Sequence, residues 1–188
     1  MTTIALPPKT MLLEVHGRLS DAGIVHSLGG SGLLAAHGLV DRVRDWDLTT
    51  DATLDRLLPV VDELRPVYVG SSGRHSDSKL VFDGGTVELI VRFALVNDGR
   101  VARIPTFVRG TWEGIPLGSL EAWAVAYALM ERTHRSEPLF LHLESRGADA
   151  SALHRLLREP LPEPLARRLA ALRRVSGTGS ARPGPPSS

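Results

Sequence analysis

The sequence predicts an α/β (α+β) fold, in which a β-sheet is flanked by helices and followed by a C-terminal helical appendage. Over residues 1–118, short apolar segments alternate with helical segments and glycine turns, as in folds that pack helices on a sheet. After residue 118 the apolar residues recur at helical spacing. We therefore expect a sheet-containing domain at 1–118 and a helical segment packed on it at 119–174. A disordered tail would follow at 175–188, where too few apolar residues remain to form a core.

Composition indicates a compact cytoplasmic protein. A chain of 188 residues, 43% of them hydrophobic, is long enough to bury about 70% of the surface that its unfolded form exposes. It contains no cysteine, which fits a reducing compartment and excludes cysteine nucleophiles, zinc–cysteine sites and disulfide frameworks. Residues 1–13 lack a basic stretch followed by an apolar run, and no segment has the length of a membrane span, so we expect no membrane partner.

The first half of the chain is predicted to begin with a helix and then to alternate strands with helices. Prolines precede the opening helix, a glycine turn separates the first strand from its helix, and Thr50 or Asp51 is predicted to cap the third helix. In chain order, the predicted elements are a helix ending near Gly23, a strand at 24–28, a helix at 33–39, a strand at 45–49, a helix at 54–61 and a strand at 67–69.

The second half is predicted to continue with a β-hairpin and to end in helices. The hairpin strands, 79–82 and 86–95, are joined by the turn Asp83-Gly84-Gly85, and a short strand is expected at 106–108. Ser119 is a plausible N-cap for the apolar helix at 120–130. Further helices are expected at 138–143, 150–157 and 164–172.

The triplet Asp45-Trp46-Asp47 is the most informative local pattern. In an extended strand alternate side chains share a face, so both carboxylates would project together while Trp46 packs into the opposite layer. Two neighbouring carboxylates repel one another, and a divalent cation relieves that repulsion. Mg²⁺ favours one or two protein carboxylates together with phosphate oxygens of a substrate, so the triplet indicates a metal-assisted nucleotide site.

The turn Gly29-Gly30-Ser31 precedes this triplet and supplies a second candidate element. Glycines allow backbone N–H groups to approach an anion closely at a helix start, and Ser31 could donate a hydrogen bond to a phosphate. Taken alone, such a sequence is more often ordinary turn chemistry. The order and spacing of the turn and the acidic triplet favour the functional interpretation.

Three segments together resemble the motifs of the nucleotidyltransferase superfamily: Leu28-Gly29-Gly30-Ser31, Asp45-Trp46-Asp47-Leu48 and Val87-Glu88-Leu89. The similarity covers about Ile24 to Arg158. It is greatest to small bacterial members, which include minimal nucleotidyltransferases, lincosamide-type resistance enzymes and the toxins of abortive-infection systems. The third acid is Glu88, where the superfamily more usually has aspartate.

The resemblance implies a mixed β-sheet and a transfer of a nucleoside monophosphate from a nucleoside triphosphate to a hydroxyl group. It implies two Mg²⁺ ions, with Mn²⁺ as an alternative, held by Asp45, Asp47 and Glu88. The turn residues Gly29, Gly30 and Ser31 would hold phosphates. Lys79, one of only two lysines beside twenty arginines, and Arg74 are candidates for contacting the triphosphate.

The sequence leaves the acceptor open among a small molecule, a tRNA and a protein. Basic residues in the C-terminal third could face RNA, although the acids among them favour a solvated helical face. It also leaves open a homodimer, and a non-catalytic binding or regulatory protein of the same fold, antitoxin-like in role. Zinc-protease histidine spacing, a serine elbow and a Walker phosphate loop are all absent from the sequence, which argues against those enzyme classes.

Overall fold

A mixed five-stranded sheet forms the centre of the molecule. The computed structural model describes residues 4–71 and 78–178. The strands are β1 (Ser27–Leu28), β2 (Trp46–Thr50), β3 (Val67–Gly70), β4 (Ser78–Phe82) and β5 (Val87–Val91). They lie in the order β1-β2-β5-β4-β3, with β2 and β5 parallel and every other pair antiparallel. The predicted α+β class and mixed sheet are therefore confirmed.

The two central strands are rich in buried apolar residues, as expected for strands that are covered on both faces. Trp46 and Leu48 on β2 are fully buried, and so are Val87 and Leu89 on β5. The alternation places Asp47, between Trp46 and Leu48, on the opposite face, where it is only partly buried. The pleat of β2 therefore separates the core from the site as the sequence predicted.

Seven helices of the described chain surround the sheet. Leu12, Val15 and Leu19 form the buried stripe of the first helix at the spacing of an amphipathic helix. The helices are α1 (Thr10–Asp21), α2 (Gly30–Ala36), α3 (Leu54–Val61), α4 (Leu120–Leu129), α5 (Thr133–Arg146), α6 (Ala150–Leu156) and α7 (Glu163–Thr178). One hydrophobic core extends from the sheet into α4–α7. The backbone of α7 continues past residue 175, where the sequence places the start of the tail.

Helix α4 positions much of the site and is buried on almost every side. The predicted N-cap is confirmed, because the Ser119 hydroxyl accepts a hydrogen bond of 3.1 Å from the backbone N–H of Ala122. The same hydroxyl donates to the buried carboxylate of Glu121 over 2.6 Å, and Glu121 also accepts from the backbone N–H of Asp149 over 2.7 Å. These contacts hold the start of α4 against the connection between α5 and α6.

The strand predicted at residues 86–95 is interrupted. The backbone N–H of Arg92 makes the last bond of the ladder between β2 and β5, donating to the carbonyl of Thr50 over 2.7 Å. The φ of Arg92 is 49°, in the left-handed region, and this ends the extended strand. The chain then forms a separate hairpin from β6 (Ala94–Asn97) and β7 (Arg100–Arg103). No strand forms at 106–108; the next pair is β8 (Thr111–Trp112) with β9 (Ile115–Pro116).

The predicted cap of the third helix is wrong. Thr53 occupies the N-cap position of α3, and no side chain caps that helix. The carboxylate of Asp51 instead accepts from the backbone N–H of Thr106 over 3.1 and 3.2 Å, and the hydroxyl of Thr50 donates to the carbonyl of Val25 over 2.7 Å. Both predicted caps satisfy backbone groups that are distant in sequence.

In the part of the chain that the structure describes, every helix is too short or too polar to cross a lipid bilayer.

Candidate functional site

Two parallel strands bring the predicted acids together. Asp45 immediately precedes β2, Asp47 is the second residue of that strand, and Asp47 lies in direct register with Glu88 on β5. Side chains in register on neighbouring strands project from the same face, so Asp47 and Glu88 point into one cleft. Asp45 lines the same cleft. The pairing of β2 with β5 therefore fixes the positions of Asp47 and Glu88 relative to each other.

The electrostatic state of Asp47 reflects this crowding. Burial raises the pKa of Asp47 to about 7, and the charges of Asp45 and Glu88 add to the increase. The positive charges of Lys79 and Arg132 act in the opposite direction on this pKa. Three carboxylates therefore share one small region, in which a further positive charge would be stabilising.

The glycine turn leaves room for two functional side chains. A β-carbon at Gly30, where φ is 51°, would lie 1.8 Å from a carboxylate oxygen of Asp47, and one at Gly29 would lie 2.0 Å from the indole of Trp123. The backbone N–H of Gly29 also donates to the carbonyl of Asp47 over 2.7 Å. Asp47 and Trp123 can therefore occupy their positions only because residues 30 and 29 are glycines. The sequence alone indicates anion binding for this turn and does not predict this packing role.

The remaining predicted phosphate contacts are placed unequally. Ser31 is buried, lines the cleft, and its hydroxyl lies 3.5 Å from the carbonyl of Asp45. Lys79 on β4 also lines the cleft, but its ammonium forms an ion pair of 2.6 Å with Glu88. Arg74 falls in 72–77, outside the described residues, so its predicted role remains a prediction.

The cleft has a polar lobe of about 430 Å³ next to the two aspartates. Arg44 lines it from the segment before β2, and Arg132, His134 and Arg135 line it from the corner between α4 and α5. In the described chain, Arg44, Arg132 and Arg135 form no ion pair, and one terminal nitrogen of Arg135 is buried without a hydrogen-bond partner. We call Arg44, Arg132, His134 and Arg135 together the cationic corner.

A second, more apolar lobe of about 360 Å³ adjoins the first at Asp47, Glu88 and Lys79. Its additional lining comes from β3, β4, β5, α4 and the residues that follow β5 and α4: Val69, Gly70, Val81, Ile90, Phe93, Trp123 and Met130. The Trp123 ring lies 5.6 Å from that of Phe93 and 5.4 Å from that of Tyr127, centroid to centroid. Tyr127 lines both lobes, and burial raises its pKa, with the charge of Asp47 adding to the increase.

The cationic corner was not assigned to the site from the sequence, which favoured a solvated helical face for its C-terminal members. The chain turns sharply after α4 because Glu131 adopts a φ of 58°, and the backbone N–H of Arg132 donates to the carbonyl of Tyr127 over 2.8 Å. This turn directs the start of α5 toward the acids. The sequence shows only that basic residues follow an apolar helix. It does not show which surface those residues face.

The acids fit a divalent cation in part. The carboxylates of Asp45 and Asp47 are hard oxygen donors, which suit Mg²⁺ or Mn²⁺. The two negative charges repel each other, and a divalent cation bound between them would balance this repulsion. Within residues 4–71 and 78–178, however, no three acidic, histidine or cysteine side chains are arranged to hold one ion together. Glu88, the third carboxylate, forms an ion pair with Lys79.

Comparison with known proteins shows likeness in structure only. No protein-family model and no curated protein matches the sequence. A candidate nucleotidyltransferase from Thermotoga maritima is 23% identical and has a TM-score of 0.52, over 76% of this chain and 97% of its own. The antibiotic-resistance factor ANT(2'')-Ia in solution is 17% identical with a TM-score of 0.53, over 90% of each chain.

A crystal structure of ANT(2'')-Ia with adenylyl-2''-tobramycin gives a TM-score of 0.54 at 14% identity, over 88% of this chain and 97% of that one. At these identities the likeness establishes the path of the chain. It agrees with the mixed sheet and with the helices that follow it. The chain described here has the nucleotidyltransferase fold.

Proposed function

We propose that the chain is a nucleotidyltransferase, which moves a nucleoside monophosphate from a nucleoside triphosphate to a hydroxyl group of an acceptor. The observation that carries this proposal is the register of Asp47 with Glu88, with Asp45 beside them and the cationic corner across the same cleft. Carboxylates opposed to unpaired arginines suit a ligand that brings both phosphate groups and a cation. ANT(2'')-Ia, which shares the fold, was crystallised with an adenylylated compound, and this supports the same class of transfer here.

Asp45 and Asp47 would hold a divalent cation, Mg²⁺ or Mn²⁺. When bound, such an ion neutralises the negative charge that develops on the transferring phosphoryl group. The aspartates themselves fix where the phosphate chain can lie, because both project from the start of β2. Gly30 keeps Asp47 in place, since only a residue without a β-carbon leaves room for that carboxylate.

The cationic corner would bind the β- and γ-phosphates together with Ser31. Arg132 and Arg135 have guanidinium groups free of ion pairs within the described chain, and an arginine can contact two phosphate oxygens at once. The buried nitrogen of Arg135 that lacks a partner would gain one from the ligand. Leaving such a group unsatisfied carries a free-energy penalty, which an anion bound in the cleft would remove.

Glu88 would accept the proton of the acceptor hydroxyl. Its carboxylate lies at the junction of the two lobes, where an acceptor can meet the α-phosphate. The ammonium of Lys79 forms an ion pair of 2.6 Å with this carboxylate, and a bound ligand would have to displace or reorient the pair before the proton is transferred. Most of the rate increase would come from positioning the reactants and from stabilising phosphate charge.

The test is nucleotide binding and pyrophosphate release by the natural chain and by Asp45→Asn/Asp47→Asn. A nucleotide at a hundred times its dissociation constant should stabilise the natural protein by about 2.7 kcal/mol, a rise in Tm of roughly 5–10 °C that requires Mg²⁺. The double variant should lose the Mg²⁺-dependent rise and release no pyrophosphate. Asp41→Asn, an exposed aspartate outside the cleft, is the matched control. Turnover that persists in the double variant would contradict the proposal.

A second candidate function is nucleotide binding without transfer. The ion pair between Glu88 and Lys79 favours it, because the third carboxylate is already engaged. Glu88→Gln separates the two candidates. An enzyme should lose transfer while it keeps Mg²⁺-dependent nucleotide binding, whereas a binding protein should show no pyrophosphate release before or after the substitution.

A further inference from the structure

From the two lobes of the cleft we infer the chemical class of the acceptor: a small hydroxyl compound with a flat apolar ring system and no net positive charge. This inference rests on the proposed function, because it assigns the second substrate of the same site. It takes its evidence from the apolar lobe, which the transfer proposal itself does not use.

The direction of transfer assigns the acceptor to the apolar lobe. In phosphoryl-type displacements the attacking and leaving oxygens lie roughly in line on opposite sides of the phosphorus. Arg44 and Arg135 of the cationic corner line the polar lobe and not the apolar one, so the charge that can neutralise pyrophosphate is concentrated there and the leaving group lies in the polar lobe. The acceptor must then approach from the opposite side of Asp47 and Glu88, which is the apolar lobe.

The lining of this lobe determines the body of the acceptor. Phe93, Trp123 and Tyr127 present aromatic rings, and Val81 and Ile90 add aliphatic surface from the sheet. Aromatic side chains favour stacked or edge-on contact with another ring. The volume of about 360 Å³ falls within the range of small-molecule pockets, so the acceptor enters as a small molecule.

The charges of the lobe determine which acceptors it rejects. Its acids among the described residues are Asp47 and Glu88, both already required by the transfer chemistry, while Lys79 and Arg132 supply positive charge. A polycationic acceptor would have no carboxylate left to pair with and would face two cations. Burying a charge without a partner is costly, so an uncharged or anionic ring compound is preferred.

The transfer step balances without any further reactant. The acceptor oxygen forms a bond to the α-phosphorus, and the bond from that phosphorus to the oxygen bridging to the β-phosphate breaks. Pyrophosphate leaves with the electron pair of the broken bond. The proton of the acceptor hydroxyl passes to Glu88 and from there to solvent.

The experiment compares ring probes that differ only in charge. Binding of naphthylmethanol, of its carboxylate derivative and of its aminomethyl derivative is measured by calorimetry, with tobramycin as a polycation. Measurements are made on the full chain, with and without saturating Mg²⁺ and nucleotide. The neutral and anionic probes should bind at least about tenfold more tightly than either cation, a difference of about 1.4 kcal/mol. They should also bind while nucleotide is present.

A pair of variants on β3 locates the site. Val69 lines the apolar lobe and Val67, on the same strand, does not; both are exposed, so a glutamate at either leaves the core intact. Val69→Glu should weaken the anionic probe by about tenfold and improve the aminomethyl probe. Val67→Glu, with the same change in net charge, should alter neither.

Three outcomes would overturn the inference and leave the proposed function standing: no ring probe binds although nucleotide does, the cationic probes bind best, or nucleotide displaces the neutral probe competitively. Competition would show that the apolar lobe holds the nucleobase. Loss of Mg²⁺-dependent nucleotide binding itself would instead show that the proposed function has failed.

Discussion

The two sides of the cleft differ in what holds them. The acidic side is set by the pairing of β2 with β5 and by the glycine turn packed against Asp47, so backbone hydrogen bonds fix its geometry. The cationic side depends on the turn between α4 and α5, where Arg132 and His134 are exposed. One cleft therefore combines acids whose positions are fixed by backbone hydrogen bonds with cationic side chains that are partly exposed to solvent. Substitutions should therefore cost more on the acidic side.

Gly30→Ala should have the largest effect. The new β-carbon would collide with the carboxylate of Asp47 and would also require a φ that an L-residue adopts with strain. Displacing a reacting group by about 1 Å can cost about 100-fold in rate, so pyrophosphate release should fall by at least that factor. Gly38→Ala has a similar φ of 68° and open space around it, so it isolates the effect of backbone strain. Equal losses in both variants would contradict the role assigned to the collision.

The extent to which the sequence predicted each side follows the same division. The acids of β2 and β5 were predictable because alternation within a strand and turns between strands are local properties, visible in Asp45-Trp46-Asp47 and Val87-Glu88-Leu89. The predictions failed where a residue has a distant partner. Asp51 binds the backbone of Thr106, and the hydroxyl of Thr50 binds the carbonyl of Val25, so neither caps the third helix. No local pattern encodes such partners.

The cationic corner could not be predicted for the same reason. Its residues come from two segments about 90 positions apart, one before β2 and one at the start of α5, and the left-handed conformation of Glu131 sets the direction of the second segment. The ion pair between Lys79 and Glu88 crosses from β4 to β5 and depends on register as well as on rotamers. Charge and turn propensity are visible in a sequence, but the surface that a charge faces is a tertiary property.

Arg135→Ala should have an intermediate effect, confined to nucleotide binding. Loss of one charge-assisted contact to phosphate is expected to weaken Mg²⁺–nucleotide binding by about tenfold, equivalent to about 1.4 kcal/mol. Titration calorimetry measures it, and Tm without nucleotide should change little. Arg146→Ala removes the same charge from the exposed last turn of α5 and should leave the affinity unchanged. If Arg135→Ala binds nucleotide as tightly as the natural chain, the cationic corner does not bind the phosphates.

The smallest effect should be a gain in stability from Asp47→Asn in metal-free solution. The pKa of Asp47 rises on folding from 3.8 to about 7, so the folded protein binds more protons than the unfolded one between these values. Stability therefore falls as the pH rises through this window, and the cost of the charge is fully present above pH about 7.

The rise in the pKa of Asp47 from 3.8 to about 7 sets an upper limit of about 4 kcal/mol on the cost of its charge, which the partial exposure of the side chain reduces. Removing that charge should therefore raise Tm at pH about 8 by at least about 2–4 °C, or about 1 kcal/mol for a chain of this size, and should have no effect below pH about 4. Scanning calorimetry in a chelator at several pH values measures the difference, with Asp41→Asn as the control. A Tm lowered at high pH would show that the acidic side is not electrostatically strained.

The contact between Gly29 and Trp123 has a consequence for how such a protein can diverge. The indole occupies the space that a side chain at position 29 would need, and the same indole forms a wall of the apolar lobe. Positions 29 and 123 are therefore expected to vary together among homologues, a smaller residue at 123 permitting a side chain at 29. A change of acceptor made through position 123 would then also alter the turn beside the aspartates, so evolution of one substrate preference would be tied to the geometry that serves the other substrate.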